Sequence, residues 1–244
     1  MGRTLFEIMR DEGCFGEDSL RKPVSREGLT SANRMTLAEF RAERAREAQE
    51  YHDRMAEGAV DADAARAAAI RRAMVGAGVP ERFSSVAADQ RPLEQLACGR
   101  GIWFAGPAGT GKTTRACSVL KGWLSAGRGG RFIDAVALTD AVSGLSGSDA
   151  ADALGTVPLL VIDDLGKGTG TTRAVDHLWQ VVNARWGRRL PTVVTSQWLP
   201  SEAAERMAGH SDVMTAQSIV SRLMDGAGVV RTDGPDMRIA GGAR

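Results

Sequence analysis

The sequence predicts an α/β protein with a parallel five-stranded sheet between helices, and three observations carry that expectation. Short apolar runs at 101–105, 130–134, 157–164, 191–196 and 229–231 lack the alternation of a half-exposed strand, so they read as strands covered on both faces. The segments between them space apolar residues three and four apart, as helices do. The first run leads directly into GPAGTGKTT, Gly106 to Thr114, and then into a helical segment. Strand, glycine loop and helix in that order bring backbone N–H groups and the positive end of a helix dipole to one point, a ready site for phosphate.

Composition bounds what the chain can do. Its 244 residues are enough to bury a sizeable core, with 43% hydrophobic and 25% charged side chains. With 31 basic and 30 acidic residues the net charge is +1, so no overall field draws the chain to nucleic acid or to a membrane. Cys14, Cys98 and Cys117 are isolated, and His52, His177 and His210 do not complete metal-ligand spacings, which argues against zinc. Scattered thiols and the lack of a signal or membrane segment give a cytoplasmic expectation.

In chain order, Leu5, Phe6, Ile8 and Met9 suggest one short helix, followed by a polar loop. Thr36-Leu-Ala-Glu39 is a capping-box signature for a helix expected to stop at Gly58, with Leu37, Phe40, Ala48, Tyr51 and Met55 along one side. A second helix is expected over 61–75, with Ile70 and Met74 inward, ending at Gly76 and Gly78. The domain boundary is placed there, giving a helical partner-binding region, 1–78, and a second domain, 79–244. Beyond it, helices are expected at 113–125, 138–145, 171–186, 201–207 and 215–224, and Leu145-Ser-Gly-Ser-Asp149 is expected as a flexible loop.

The chemistry concentrates in two places. In the glycine loop, Gly106, Pro107, Ala108, Gly109, Thr110, Gly111, Lys112, Thr113 and Thr114 are the candidate phosphate-binding residues. Lys112 reaches the terminal phosphates, and the Thr113 hydroxyl suits Mg²⁺. Leu159-Leu-Val-Ile-Asp163-Asp164 puts two carboxylates at the C-terminal end of a buried strand, where open α/β sheets hold their ligands. Asp163 is the candidate holder of Mg²⁺, and Asp164 the candidate base for an attacking water. ATP and Mg²⁺ are the expected cofactors.

GPAGTGKTT, LLVIDDLG, PTVVTSQW and IVSRLMDGAGVV together resemble the DnaC-like branch of AAA+ ATPases, over about Val79 to Arg238. That branch includes replicative-helicase loaders and IstB transposition helpers. The resemblance implies an AAA+ core with little or no C-terminal lid, ATP hydrolysis, and assembly into a ring or spiral. It also implies a polar sensor of the γ-phosphate at Gln197, where the family has asparagine, with Ser196 as the alternative. Asp164 stands where most AAA+ proteins carry glutamate. Arg222 resembles the arginine that a neighbouring subunit inserts towards ATP, and Arg238 offers a second sensor. The loader reading gives a hexameric replicative helicase and single-stranded DNA as partners. Gly78-Val-Pro-Glu-Arg-Phe83 looks like the loader entry into the core. The transposition reading gives duplex DNA and a transposase, and a small-molecule kinase is a third reading of the same loop.

Overall fold

A computed structural model describes residues 37–138, 147–166 and 171–237. The chain divides into two compact units, Met1–Asp61 and Ala62–Arg244. Helix α1, Leu37–Gly76, contributes to both. The sequence reading ended this helix at Gly58, but it runs through without a break. One glycine inside a helix costs only about 1 kcal/mol, and the alanine, glutamate and arginine around Gly58 favour helix strongly. Within the first unit, Arg46 and Glu50 pair one turn apart at 3.9 Å, and Tyr51 is exposed. The expected helix at 5–9 and the Thr36 cap lie outside the described residues.

In the second unit, Met74, Ala77 and Val79 are buried in the core, matching the inward face expected for Met74. A 3-10 turn, Glu81–Phe83, and a short helix α2, Leu93–Ala97, lead to β1, Ile102–Ala105. Then follow α3, Lys112–Ser125; β2, Gly130–Asp134; α4, Gly147–Gly155; and β3, Leu159–Leu165. The chain continues through α5, Thr172–Gly187; β4, Thr192–Ser196; α6, Pro200–Ala208; α7, Val213–Leu223; and β5, Gly228–Arg231. The first residues of α4, 147–149, belong to the stretch 145–149 that was expected as a flexible loop. The helix is short and built almost wholly of small residues, and Leu154 is its buried anchor in the core shared with α5. The helix expected over 138–145 falls, beyond residue 138, outside the described residues.

All strand pairs are parallel, in the order β2-β3-β4-β1-β5. Successive residues of β3 serve opposite faces. Leu160 and Ile162 pack with Val175, Leu178 and Ile219 from α5 and α7. Leu159 and Val161 pack with Ala116, Val119 and Leu120 of α3 and with Met74. Those four β3 side chains are fully buried, each contributing about 1.5–3 kcal/mol. The strand therefore holds the carboxylates at its end on a rigid base.

A charged side chain, Arg185, lies inside this core. Arg185 of α5 donates to the Thr192 hydroxyl and to the carbonyls of Leu154, Val157 and Pro191, at 2.7–3.0 Å. It ties the end of α4 and the entry to β3 to the start of β4. Burial lowers its pKa to about 9. Among the described residues, no helix is long and apolar enough to cross a membrane.

Candidate functional site

Strand order decides what meets at the C-terminal edge of the sheet. Because β4 lies between β1 and β3, the loop after β1 and the carboxylates of β3 flank the end of β4. The loop's own geometry follows from its glycines. Gly109 and Gly111 take φ values of 77° and 84°, left-handed positions that side chains resist. At Gly106 a Cβ would run into the Thr232 carbonyl. Thr232 N–H donates to the Ala105 carbonyl at 2.7 Å, and its hydroxyl lies 2.8 Å from that of Thr110, so the segment after β5 buttresses the loop from below.

Helix α3 begins at Lys112 with Gly111 as its N-cap, no side-chain cap and no acidic residue in its first turn. Its leading N–H groups and dipole therefore suit an anion. Lys112 is buried, its ammonium donating to the carbonyls of Gly106 and Pro107 at 2.7 and 2.6 Å. The positive charge is thus held against the loop.

Thr113 meets Asp163 directly. Its hydroxyl donates to the two carboxylate oxygens at 3.0 and 3.2 Å. Thr195 of β4 donates to Asp163 Oδ1 at 2.6 Å, and the same Thr195 oxygen accepts the Asp164 N–H at 2.9 Å. The pairing of β3 with β4 shifts register between Ile162 and Leu165, and Asp164 adopts φ 55°. Here the Thr195 hydroxyl takes the place of a ladder carbonyl, and the irregularity presents two consecutive carboxylates at one strand end. Burial raises the pKa of Asp163; the Thr195 and Thr113 hydroxyls counter this, and the charges of Asp164 and of Asp134, its register partner on β2, add to it.

A cleft of about 400 Å³ unites most of the expected residues: Ala108, Gly109, Gly111, Lys112, Thr113, Thr114, Asp163, Asp164 and Gln197 all line it. Ser196, the alternative sensor, is fully buried; its hydroxyl donates to the Leu165 carbonyl and accepts the Trp198 N–H, so it fastens two strand ends together. Arg222 is not part of this cleft. It lies on α7, its guanidinium 5.3 and 5.8 Å from the rings of Trp186 and Trp179. Arg238 lies outside the described residues. Burial pushes the thiol of Cys117, on α3, up to about 12, so it is no nucleophile at neutral pH.

The sequence reading missed four contributors. Thr195 was passed over for its neighbours, although a hydroxyl two residues before Gln197 was the available signal. Arg82 and Phe83 line the cleft, with the guanidinium 4.7 Å from the ring centroid; they belong to the Gly78–Phe83 stretch that was read only as a junction. Met237 also lines the cleft, its N–H bonded to the Gly109 carbonyl at 3.1 Å, and no motif marks it.

The donor set fits ATP with Mg²⁺. An uncapped helix start and a lysine suit polyphosphate, while a hydroxyl touching a carboxylate offers the hard oxygens that Mg²⁺ prefers, with phosphate and water completing its shell. Among the described residues there is no cluster of three or more His, Cys, Asp or Glu able to hold a metal by protein ligands alone.

Comparison with known proteins gives a consistent picture. The family model described as IstB-like ATP binding protein matches residues 80–242. The insertion sequence ATP-binding protein y4uH of Sinorhizobium fredii is 29% identical over 139 residues, covering 55% of this chain and 54% of that protein. The chain thus spans about half the length of that curated relative. Among solved structures, DnaI is similar with a TM-score of 0.52 and 19% identity, over 65% of this chain and 93% of that one. The DnaC helicase loader is similar with a TM-score of 0.51 and 19% identity, over 63% of this chain and all of that one. At such identities the likeness is one of fold.

Proposed function

This chain belongs to the family of IstB-like ATP-binding proteins, and from that premise we propose that it is a Mg²⁺-dependent ATPase that loads a hexameric replicative helicase onto single-stranded DNA. The observation that carries the ATPase reading is the meeting of Thr113 and Asp163 beside an uncapped helix start, with Asp164 and Gln197 in the same cleft. Bound Mg²⁺ would supply charge neutralisation on the phosphates from Thr113 and Asp163. The α3 N–H groups and Lys112 bind and orient the polyphosphate. Asp164 takes the proton of the attacking water, and Gln197 orients that water. Arg222 acts on the nucleotide of a neighbouring copy in a ring or spiral, which agrees with its position outside its own cleft.

The loader reading rests on the Gly78–Phe83 entry, whose Arg82 and Phe83 line the cleft, and on the fold shared with DnaC and DnaI. Residues 1–78 are assigned to helicase binding, with Phe40 and the exposed Tyr51 as anchors. The curated relative favours a second reading, a transposition helper that binds duplex DNA and a transposase. The full chain separates the two. A loader captures the hexameric helicase of its own organism, prefers single-stranded DNA, and loses helicase affinity at least 30-fold, about 2 kcal/mol, in Phe40→Ala with Tyr51→Ala. Capture of a transposase with preference for duplex DNA would establish the second reading instead.

A further inference from the structure

From Ser196, the last residue of β4, the chain turns through Gln197, Trp198 and Leu199 into α6. Gln197 is the member of this turn that lines the nucleotide cleft, and the residues on both sides of it are tied down. The Ser196 hydroxyl accepts the Trp198 N–H at 3.2 Å and donates to the Leu165 carbonyl at 2.7 Å. The Trp198 carbonyl accepts from Nε1 of Trp103, a fully buried residue of β1, at 3.0 Å. The Leu199 N–H donates to the Glu202 carboxylate at 2.8 Å, which sets the start of α6.

The indole of Trp198 meets the neighbouring strand end. It lies against Gly166, which follows β3 two residues after Asp164. A Cβ on Gly166 would come 2.5 and 2.6 Å from Cζ3 and Cε3 of the indole, so the ring fills the place of a side chain there. Gly166 has φ 101°, a left-handed value that glycine adopts freely. The Leu165–Gly166 peptide is therefore held twice, its carbonyl by the Ser196 hydroxyl and its glycine by the indole. Arg206 of α6 sets its guanidinium 4.1 Å from the ring centroid, a cation–π contact that keeps the ring seated. The indole packs on the core and does not line the cleft.

We propose that Trp198 is a positioning residue for ATP hydrolysis: its backbone fixes Gln197, and its ring fixes Gly166 and with it the end of β3 that carries Asp164. This rests on the ATPase reading above. Asp164 sits at φ 55° beside the register shift, and its N–H is held by the Thr195 hydroxyl, so regular strand pairing does not by itself aim its carboxylate. A base from one strand and a water-orienting amide from the next act together only while their separation is kept, and a misplacement of about 1 Å can cost about 100-fold in rate. Phosphate and Mg²⁺ binding fall instead to Lys112, Thr113 and Asp163, which the loop carbonyls and Thr195 hold in place. Loss of the indole therefore separates turnover from affinity.

Steady-state turnover of the full chain, set beside its affinity for a non-hydrolysable ATP analogue with Mg²⁺, tests this. Trp198→Leu should lower kcat about tenfold or more while analogue affinity stays within about twofold of native. Trp198→Phe, which returns an aromatic ring to Gly166, should recover most of that loss. Gly166→Ala should lower kcat more in the native chain than when added to Trp198→Leu, because the ring is what its methyl meets. Arg206→Gln, on the surface of α6, should lower kcat roughly threefold, and it decides the matter if thermal unfolding shows that Trp198→Leu does not fold. Native kcat in Trp198→Leu, or in Arg206→Gln where the first variant is unfolded, overturns the proposal. A loss of analogue affinity as large as the loss of turnover makes the ring a merely structural group and overturns it equally. Asp164→Asn inactive beside a fully active Trp198→Leu leaves the ATPase reading standing without Trp198; a native chain that binds Mg²⁺ and ATP but never hydrolyses ATP, with or without DNA, defeats both.

Discussion

Replacing Thr195 by valine removes one hydroxyl and nothing of comparable size, which makes it the sharpest probe of the β3–β4 junction. The hydroxyl donates to Asp163 Oδ1 at 2.6 Å and accepts the Asp164 N–H at 2.9 Å. A hydrogen bond to a charged group is worth about 2 kcal/mol, and an orphaned N–H on a half-buried residue adds about 1. The buried methyl returns a little under 1 kcal/mol, leaving a loss of about 2 kcal/mol. Denaturant unfolding measures it as a lower midpoint at unchanged slope. A second readout is specific to the carboxylate. The Thr195 hydroxyl holds the Asp163 pKa down against burial, so its removal lets that pKa rise further, and Mg²⁺-dependent ATP affinity is then lost at a higher pH than in the native chain. Thr195→Ser, which keeps the hydroxyl, should preserve the native pH profile. Native stability and a native pH profile in Thr195→Val would refute the argument that this hydroxyl tunes Asp163.

The pH dependence of the native chain follows from the same carboxylate. With its pKa raised in the fold, the folded chain holds the Asp163 proton to higher pH than the unfolded chain, so this group's contribution to stability is full below the ordinary carboxylate value and falls as pH rises through the raised one; Mg²⁺ with ATP should restore stability above that window, as thermal unfolding across pH would show. Asp164→Asn should keep Mg²⁺–ATP binding and lose turnover, since asparagine tolerates φ 55°, whereas Asp163→Asn should weaken the Mg²⁺-dependent part of ATP binding; equal turnover in Asp164→Asn and the native chain would dismiss Asp164 as the base. Arg185→Met should cost about 3 kcal/mol in denaturant unfolding, because the acceptors of Leu154, Val157, Pro191 and Thr192 lose their donor while the burial cost of the charge is recovered only in part; unchanged stability would show that water replaces the guanidinium.

What was legible in the sequence was whatever depends on local chemistry. GPAGTGKTT announces its own backbone, because only glycine adopts the required turns freely, and the apolar run at 159–162 announces burial on both faces. Asp163 and Asp164 were visible as carboxylates ending that run. The illegible parts depend on distant neighbours. Nothing near Thr195 says that β4 lies between β1 and β3, so its contact with Asp163 waits on the sheet order. Arg185 looks like any helical surface arginine until the carbonyls around it are known. Gly58 is a stop signal by local rule alone, and its neighbours outweigh it. Helix α4 has one large buried anchor, too few for a period to be read.

The position of β1 also orders events in time. It bears the phosphate loop, yet both of its partners, β4 and β5, come later in the chain. As the polypeptide leaves the ribosome, β2 and β3 can already pair with each other, while β1 has no neighbour to hold its edges. The bond from Thr232 to Ala105 closes only after β5 has emerged. A nascent or prematurely terminated chain therefore contains every residue of the glycine loop without the strand arrangement that shapes it. Competence to hold nucleotide is expected to wait on β5, so that fragments ending before it should fail to bind ATP.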